Sequence, residues 1–280
     1  MKISQQEFKK VYFSSLQEIL KIRPIDQHLK DMLAIYDYGY KDYDLINYLE
    51  KFWFRAWQVY NLLPDPNRQH EIKILDLGGF FGNFSFCFQK LGYKTTITDV
   101  YDYYQGVFDN LKNFLQGQGI KIMNRDFTAL IPIEELSEKY DVILCLAVLE
   151  HLAHSPAALL YNIKNSLKED GSLILEVSNI TYWYKRLQLL QGGSILPSVE
   201  SIYKSKEPFI GHHHEYTKGE IEKLATLSGF EIEKMIFYNY SVNPLFFVIH
   251  PIFMPAYLFK SCKEIILAKL KIKPIKNKAK

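Results

Sequence analysis

The chain has only three cysteines among its 280 residues, Cys87, Cys145 and Cys262. They are far apart and form no C-x-x-C pair, so the sequence contains neither a disulfide framework nor a zinc motif. The first ten residues, MKISQQEFKK, lack the uninterrupted apolar run of a signal peptide. Both absences favour a reducing, cytoplasmic location.

The chain also lacks a large excess of one charge, because it has 34 basic and 31 acidic residues and a net charge of only +3. This balance argues against nucleic acid as the main partner. Hydrophobic residues make up 48% of the chain, which supports a large core. The 20 tyrosines and 19 phenylalanines predict either thick core packing or a cavity lined by rings.

The longest apolar stretch, from Ser241 to Phe259, is almost long enough to span a bilayer. It contains three prolines and a histidine, which argue against a regular spanning helix. Two short helices that cover a cavity or mediate dimerisation are the preferred interpretation. Peripheral docking on a membrane stays open, since seven lysines follow between Lys263 and Lys280.

The pattern divides the chain into a helical N-terminal region over residues 1–70 and an α/β domain over 71–270. Helices are predicted at 6–21, 26–35 and 44–63, and this region could form a lid. From Ile72 strands alternate with helices, which is typical of a mainly parallel sheet. Strands are predicted at 72–77, 94–98, 120–123, 140–146, 172–177, 231–237 and 264–270, with the last two antiparallel. Insertions at 179–216 and 239–261 are expected to cap the domain, and 271–280 forms a basic tail.

The first strand runs into an acid and a glycine turn, IKILDLGGFFGNF, from Ile72 to Phe84. A strand followed by such a turn and a helix N-terminus presents free backbone N–H groups to a nucleotide-like ligand. The nicotinamide fingerprint G-x-G-x-x-G fails in either register. The required glycine positions hold Phe80 and Asn83 when counted from Gly78, and Phe81 and Phe84 when counted from Gly79.

The same turn, DLGGFFG, resembles the first motif of class I S-adenosylmethionine-dependent methyltransferases. The resemblance continues through TITD at 96–99, NRDF at 124–127 and YDVILCLAVLEHLAHSP at 140–156. The last of these is similar to the branch that contains quinone, sugar and natural-product methyltransferases. LKEDGSLILEV at 167–177 and GHHHEYT at 211–217 also resemble segments of that branch.

The resemblance implies a seven-stranded, mostly parallel Rossmann-like methyltransferase sheet that binds S-adenosylmethionine. It further implies methyl transfer to a small-molecule acceptor, with a hydroxyl oxygen favoured, in natural-product, glycan or quinone biosynthesis. The protein would be a monomer or a homodimer. Two alternatives stay open: a nicotinamide-dependent oxidoreductase, and a non-catalytic scaffold or membrane-docking subunit of the same fold.

The family pattern assigns cofactor contacts along the carboxyl edge of the sheet. Asp99 would bind the ribose hydroxyls, or else be a solvated acid at a strand end. Asp76 would orient the loop or the cofactor amine, and Arg55 would meet the cofactor carboxylate, although a surface arginine is the preferred interpretation of Arg55. The remaining assigned positions are Gly78, Gly79, Phe80, Gly82, Val100, Asp126, Phe127 and Leu146. Phe80 replaces a family glycine, so a negative φ is expected there.

A general base is needed only for a hydroxyl of high pKa. His151 follows the fourth strand, and His212 and His214 lie in the HHHE cluster, so these three are the candidate catalytic residues. Plain loop histidines are the alternative for the cluster. Neighbouring side chains of an extended segment point to opposite faces, so at most two of its histidines can converge and no metal site is predicted.

Overall fold

The computed structural model describes residues 2–22, 45–66, 71–104, 106–204, 211–241, 246 and 249–274. Its seven-stranded sheet has the order β3-β2-β1-β4-β5-β7-β6, and β7 is antiparallel to both of its neighbours while the other pairs are parallel. The strands are β1 Lys73–Leu77, β2 Lys94–Asp99, β3 Lys121–Asn124, β4 Tyr140–Leu146, β5 Leu167–Ser178, β6 Phe230–Tyr238 and β7 Ile265–Ile272. The predicted mostly parallel sheet and its antiparallel last pair are confirmed.

Helices cover both faces of this sheet and make it the middle layer of three. They are α1 Gln5–Ile22, α2 Leu45–Tyr60, α3 Asn83–Lys90, α4 Asp109–Gly117, α5 Ala157–Ser166, α6 Trp183–Leu190, α7 Val199–Lys204, α8 Lys218–Ser228 and α9 Met254–Leu258. β4 shows the reason for the layering: Val142 and Leu144 join the core beneath α1 to α4, whereas Ile143 and Cys145 join the core beneath α5 and α8. The helix predicted at 26–35 lies outside the described residues.

The N-terminal helices are built into the first of these cores. The buried Tyr12 hydroxyl of α1 donates to the Leu49 carbonyl of α2 at 2.6 Å and accepts from Asn83 Nδ2 at 2.9 Å. Asn83 is the first residue of α3, directly after the glycine turn. One hydroxyl therefore joins both N-terminal helices to the turn, and the lid role of the region stays a prediction.

Both insertions are connected to the sheet at the same edge. β5 ends at Ser178, β6 ends at Tyr238 and β7 begins at Ile265, all at the edge where the parallel strands β1, β2 and β4 end. β7 then carries the chain back across the sheet, and Lys273 N–H donates to the Gly229 carbonyl at the opposite edge. The predicted basic tail begins within β7, at Lys271 and Ile272, and residues 275–280 lie outside the described residues.

Candidate active site

The turn after β1 requires glycine at several positions. Gly78 and Gly82 have φ of +65° and +67°, which L side chains rarely adopt. A Cβ on Gly79 would lie 2.5 Å from Ile97 Cγ2, so this position is closed to larger residues by the β2 side chain beneath it. Gly78 N–H donates to the Thr98 carbonyl at 2.8 Å and fixes the turn against β2.

Phe80 has a φ of +47°, so the expected negative φ is wrong. Its N–H donates to Asp99 Oδ2 at 3.1 Å. Its ring makes edge contacts with Phe81 and Phe108 at centroid distances of 4.6 and 5.6 Å. These contacts hold a conformation that costs a non-glycine residue about 1 kcal/mol or more. The family-like turn is therefore retained with an aromatic residue in the place of a glycine.

Asp99 ends β2 beside this turn. Its Oδ1 accepts the Val100 N–H at 2.8 Å, while Oδ2 accepts the Phe80 N–H. Burial raises the pKa of Asp99 above its usual value, against the lowering effect of the two N–H donors. An ionised carboxylate has about four acceptor positions, so two remain for ligand hydroxyls. The glycine turn allows a ligand to approach the backbone closely, and this carboxylate can accept hydrogen bonds from ribose hydroxyls. Together they suit a nucleoside cofactor.

Asp76 lies deeper, with only 4% of its surface exposed. Burial raises its pKa to about 7, and the nearby charge of Asp99 adds to this, while the hydrogen bond from Ser85 Oγ to Oδ2 at 2.8 Å opposes it. The carboxyl group therefore changes its charge near neutral pH. It supports the turn from below through Ser85 of α3.

The raised pKa of Asp76 predicts a pH-dependent stability. Between about pH 4 and pH 7 the folded protein holds a proton that the unfolded chain has lost, so its free energy of unfolding should fall as the pH rises through this window. Asp76→Asn cannot release that proton, and urea unfolding from pH 5 to pH 8 should show a shallower decline than in the wild type. Asp102→Asn, at an exposed acid nearby, is the control and should follow the wild type. Parallel curves for wild type and Asp76→Asn would contradict the assignment.

The predicted adenine and methionine contacts occupy neighbouring loops. Phe127 is buried, whereas Asp126 is exposed and its Oδ1 accepts the Thr128 N–H at 2.7 Å and the Thr128 hydroxyl at 2.6 Å. This carboxylate therefore stabilises its own turn. Leu146 ends β4 in register with Glu176 of β5, and Ala147 follows with a φ of +54°.

Arg55 is buried, so its interpretation as a surface arginine is wrong. Its Nε donates to Glu176 Oε1 at 2.8 Å, and its NH2 forms a second, shorter contact with the same oxygen. The Tyr238 hydroxyl donates to Glu176 Oε2. The guanidinium also lies over the Phe52 and Tyr240 rings at 4.1 and 5.3 Å from their centroids. Through this network α2 is fixed to the carboxyl end of β5, beside Leu146.

The histidines divide into two groups. The His151 and His212 rings meet edge to face at a centroid distance of 4.8 Å. His212 Nδ1 lies 2.9 Å from Glu215 Oε1, and Glu215 forms an ion pair with Lys185 of α6. His214 instead points to Glu220 of α8 at 3.3 Å and is largely exposed. Two of the three candidates, His151 and His212, therefore meet, whereas His214 of the same segment as His212 points to α8.

Glu150 holds the histidine segment in place. Its backbone carbonyl accepts the His213 N–H at 2.6 Å, and its buried side chain accepts from the Ser178 N–H and hydroxyl, both at 3.2 Å. Glu150 thus joins the end of β4, the end of β5 and the HHHE segment. Within the described ranges, no group of three or more His, Cys, Asp or Glu side chains is arranged to hold a metal ion.

Glu215 has the electrostatic environment of an ionised partner for His212. Burial alone would raise its pKa, but the hydrogen bond with His212 and the charge of Lys185 outweigh it, so the pKa of Glu215 is lowered. A carboxylate can only accept hydrogen bonds. His212 therefore donates to Glu215 Oε1 through Nδ1.

A family model described as a methyltransferase domain matches residues 45–235, which is more than half of the chain. The chain belongs to this methyltransferase family. This methyltransferase is thus an enzyme of the predicted class, and the family match decides against the nicotinamide-dependent alternative. Its strands and glycine turn are those that the sequence motifs predicted.

Three relatives of this methyltransferase are distant in sequence. A ubiquinone biosynthesis O-methyltransferase of Glaesserella parasuis is 29% identical over 109 residues, which span 39% of this chain and 42% of that relative. A Mesorhizobium loti S-adenosylmethionine-dependent methyltransferase is 14% identical with a TM-score of 0.54, over 79% of this chain and 97% of the other. The Burkholderia thailandensis 1,6-didemethyltoxoflavin-N1-methyltransferase, solved with its substrate and S-adenosylhomocysteine, is 13% identical with a TM-score of 0.51, over 98% and 92%. The two structural neighbours show the fold. Their names contain S-adenosylmethionine and S-adenosylhomocysteine, which agrees with the predicted cofactor.

Sequence reasoning missed the partners that support the site. Glu176, Tyr238 and Lys185 were not singled out, although Glu176 stands alone in the apolar run SLILEV. A single acid in a strand that is otherwise buried needs a cationic or hydroxyl partner. The single acid could therefore have indicated that an arginine such as Arg55 is buried as its partner and does not lie on the surface.

Proposed function

We propose that this methyltransferase transfers a methyl group from S-adenosylmethionine to a hydroxyl of a small-molecule acceptor, with His212 as the general base. The arrangement of His212 between Glu215 and His151 at the carboxyl edge of the sheet carries the proposal. An O-methyltransferase among the curated relatives supports the choice of oxygen. Biosynthesis of a quinone, a glycan or a natural product is the corresponding class of pathway.

The cofactor would be held by the turn and the acids around it. Asp99 and the exposed Val100 would face the ribose, with Gly78, Gly79 and Gly82 allowing close approach of the backbone. Asp76 would support the turn, and the loop at Asp126 and Phe127 would border the adenine. Arg55 would act on the site through Glu176, because its guanidinium is bonded to that carboxylate.

When bound, S-adenosylmethionine supplies an electrophilic methyl group on a sulfonium sulfur. The protein must then orient the acceptor hydroxyl and remove its proton. His212 Nε2 would take that proton, and Glu215 would hold the Nδ1 proton and stabilise the imidazolium that results. The hydrogen bond with His212 and the charge of Lys185 lower the pKa of Glu215. His151, in ring contact with His212, would limit the positions open to the acceptor.

Calorimetric titration of the full chain with S-adenosylhomocysteine and with NADH tests the cofactor. Transfer of a labelled methyl group from S-adenosylmethionine to a panel of phenols, catechols, sugars and aromatic amines then tests the acceptor. We expect S-adenosylhomocysteine to bind and labelled methyl ethers to form. Labelled N-methyl or C-methyl products would overturn the choice of oxygen, and the absence of any cofactor binding would favour a non-catalytic scaffold.

His212→Gln should lower kcat about 100-fold or more with the best acceptor of that panel, because general-base catalysis contributes about 10²–10⁴-fold. Glu215→Gln should also lower kcat, since the imidazolium formed in the reaction loses its anionic partner. S-adenosylhomocysteine affinity, measured by calorimetry, should stay unchanged in both variants.

His214→Gln is the matched control, because His214 lies two residues further along the same segment and points away to Glu220. Its kcat should stay within about twofold of the wild type. If His212→Gln kept full activity at every pH while His214→Gln lost it, the base would be assigned to the wrong histidine.

A further inference from the structure

Lys185 of α6 contacts the partner of the proposed base. Its Nζ forms an ion pair with Glu215 Oε2, while Glu215 Oε1 lies 2.9 Å from His212 Nδ1. The Lys185 and Glu215 side chains are only 20% and 13% exposed. Each carboxylate oxygen therefore has its own partner, and the carboxylate cannot rotate without breaking one of the two contacts.

The two ends of the first insertion are paired with each other. Asn179 and Tyr216 form a parallel β-bridge, and the Ile180 N–H donates to the Tyr216 carbonyl at 3.2 Å. Glu215 directly precedes this bridge, and α6 begins a few residues after it. The bridge thus brings together Lys185 and Glu215, which are 30 residues apart in sequence.

The second insertion, which contains the longest apolar stretch of the chain, fixes the start of α6. None of the described helices is long and apolar enough to cross a membrane. The Thr181 hydroxyl and Asn179 Nδ2, just before α6, both donate to the Ser261 carbonyl, at 2.8 and 3.2 Å. Trp183 Nε1, at the first residue of α6, donates to the Ile252 carbonyl at 2.5 Å. These contacts hold the helical turn that carries the lysine.

We propose that Lys185 is a positioning residue for the general base. It fixes the Glu215 carboxylate, and through it the His212 ring, in the orientation that takes the proton of the acceptor hydroxyl. This role rests on the proposed function, because the lysine acts on the reaction only through His212. An exposed ion pair would hold Glu215 weakly, but this pair is largely buried and is a charge-assisted hydrogen bond.

Kinetics of Lys185 variants test the role. Lys185→Met should lower kcat by about tenfold or more with the best acceptor of the panel, since a displacement of about 1 Å can cost about 100-fold. The KM for S-adenosylmethionine and the affinity for S-adenosylhomocysteine should stay unchanged. Lys185→Arg retains the cation and should recover most of the lost kcat. Lys204→Met is the matched control and should keep the wild-type kcat, because Lys204 and Glu200 of the same insertion form a pair that is 68% and 72% exposed.

A double-mutant cycle shows whether Lys185 acts through Glu215. In the Glu215→Gln background, Lys185→Met should change kcat by less than about twofold, because residues of one network do not act additively. The double variant has no unpaired charge, so it also tests the link if Lys185→Met alone does not fold. An additional loss of about tenfold in that background would mean that the lysine acts on the acceptor directly, and would overturn the positioning role.

NMR spectra of the histidine ring nitrogens test the same contact without any acceptor. The His212 signals, identified by their loss in His212→Gln, should shift in Lys185→Met and in Glu215→Gln but not in Lys204→Met. Full activity of His212→Gln would contradict the proposed base. By contrast, unchanged His212 signals or a wild-type kcat in a folded Lys185→Met protein would overturn the role of the lysine while leaving that base in place.

Discussion

Asp99→Ala is expected to weaken S-adenosylhomocysteine binding by about 100-fold in calorimetric titration. A hydrogen bond to a charged group contributes about 1.5–3 kcal/mol, and two ribose hydroxyls would lose their acceptor. The substitution also removes the acceptor of the Phe80 N–H, which holds the glycine turn in its positive-φ conformation. Both effects weaken the same site, so we expect Asp99 to be its most sensitive position.

Asp99→Asn separates the two effects, since an amide oxygen can still accept the Phe80 N–H but carries no charge. Its affinity should lie between those of wild type and Asp99→Ala. Asp102→Ala, three residues further on at an exposed acid, should bind like the wild type. Unchanged affinity in a folded Asp99→Ala protein would show that the ribose is bound elsewhere.

The sheet could be predicted from the sequence because its signals are local. β4 is a nearly continuous apolar run, and the start of α8 is a capping box in which Thr217 Oγ1 accepts the Glu220 N–H at 3.2 Å and Glu220 Oε2 accepts the Thr217 N–H at 2.7 Å. The apolar strand pattern, the acid at the end of the strand and the glycine turn lie within a few residues of one another. These local sequence signals were therefore enough to predict where the carboxyl edge of the sheet lies.

The parts of the site that could not be predicted depend on distant contacts. Phe80 takes a positive φ because its N–H is bonded to Asp99 and its ring packs against Phe108. The conformational preferences of the neighbouring residues do not indicate these contacts. Arg55 is 121 residues from Glu176 in sequence, and His212 is 61 residues from His151. Only the topology of the sheet brings such partners together, so their residue types were recognisable while their pairing was not.

Arg55→Ala should destabilise the fold by about 3–5 kcal/mol, because it leaves the Glu176 carboxylate buried without its cation. Burial alone would lower the pKa of the guanidinium, but the charge of Glu176 raises it, so Arg55 stays charged in the fold. A loss of this size is large against a typical total of about 5–15 kcal/mol. Urea unfolding at pH 7 should show it as a lower midpoint.

Lys94→Ala provides the control, because Lys94 and Glu71 form an ion pair at 3.1 Å in which both side chains are more than half exposed. Exposed pairs contribute about 1 kcal/mol or less. Arg55→Met/Glu176→Gln should recover part of the Arg55→Ala loss, since it removes the unpaired charge and keeps a partner for the Tyr238 hydroxyl. Equal effects of Arg55→Ala and Lys94→Ala would mean that the Arg55 network does not hold α2 to the end of β5, and the site would need another support.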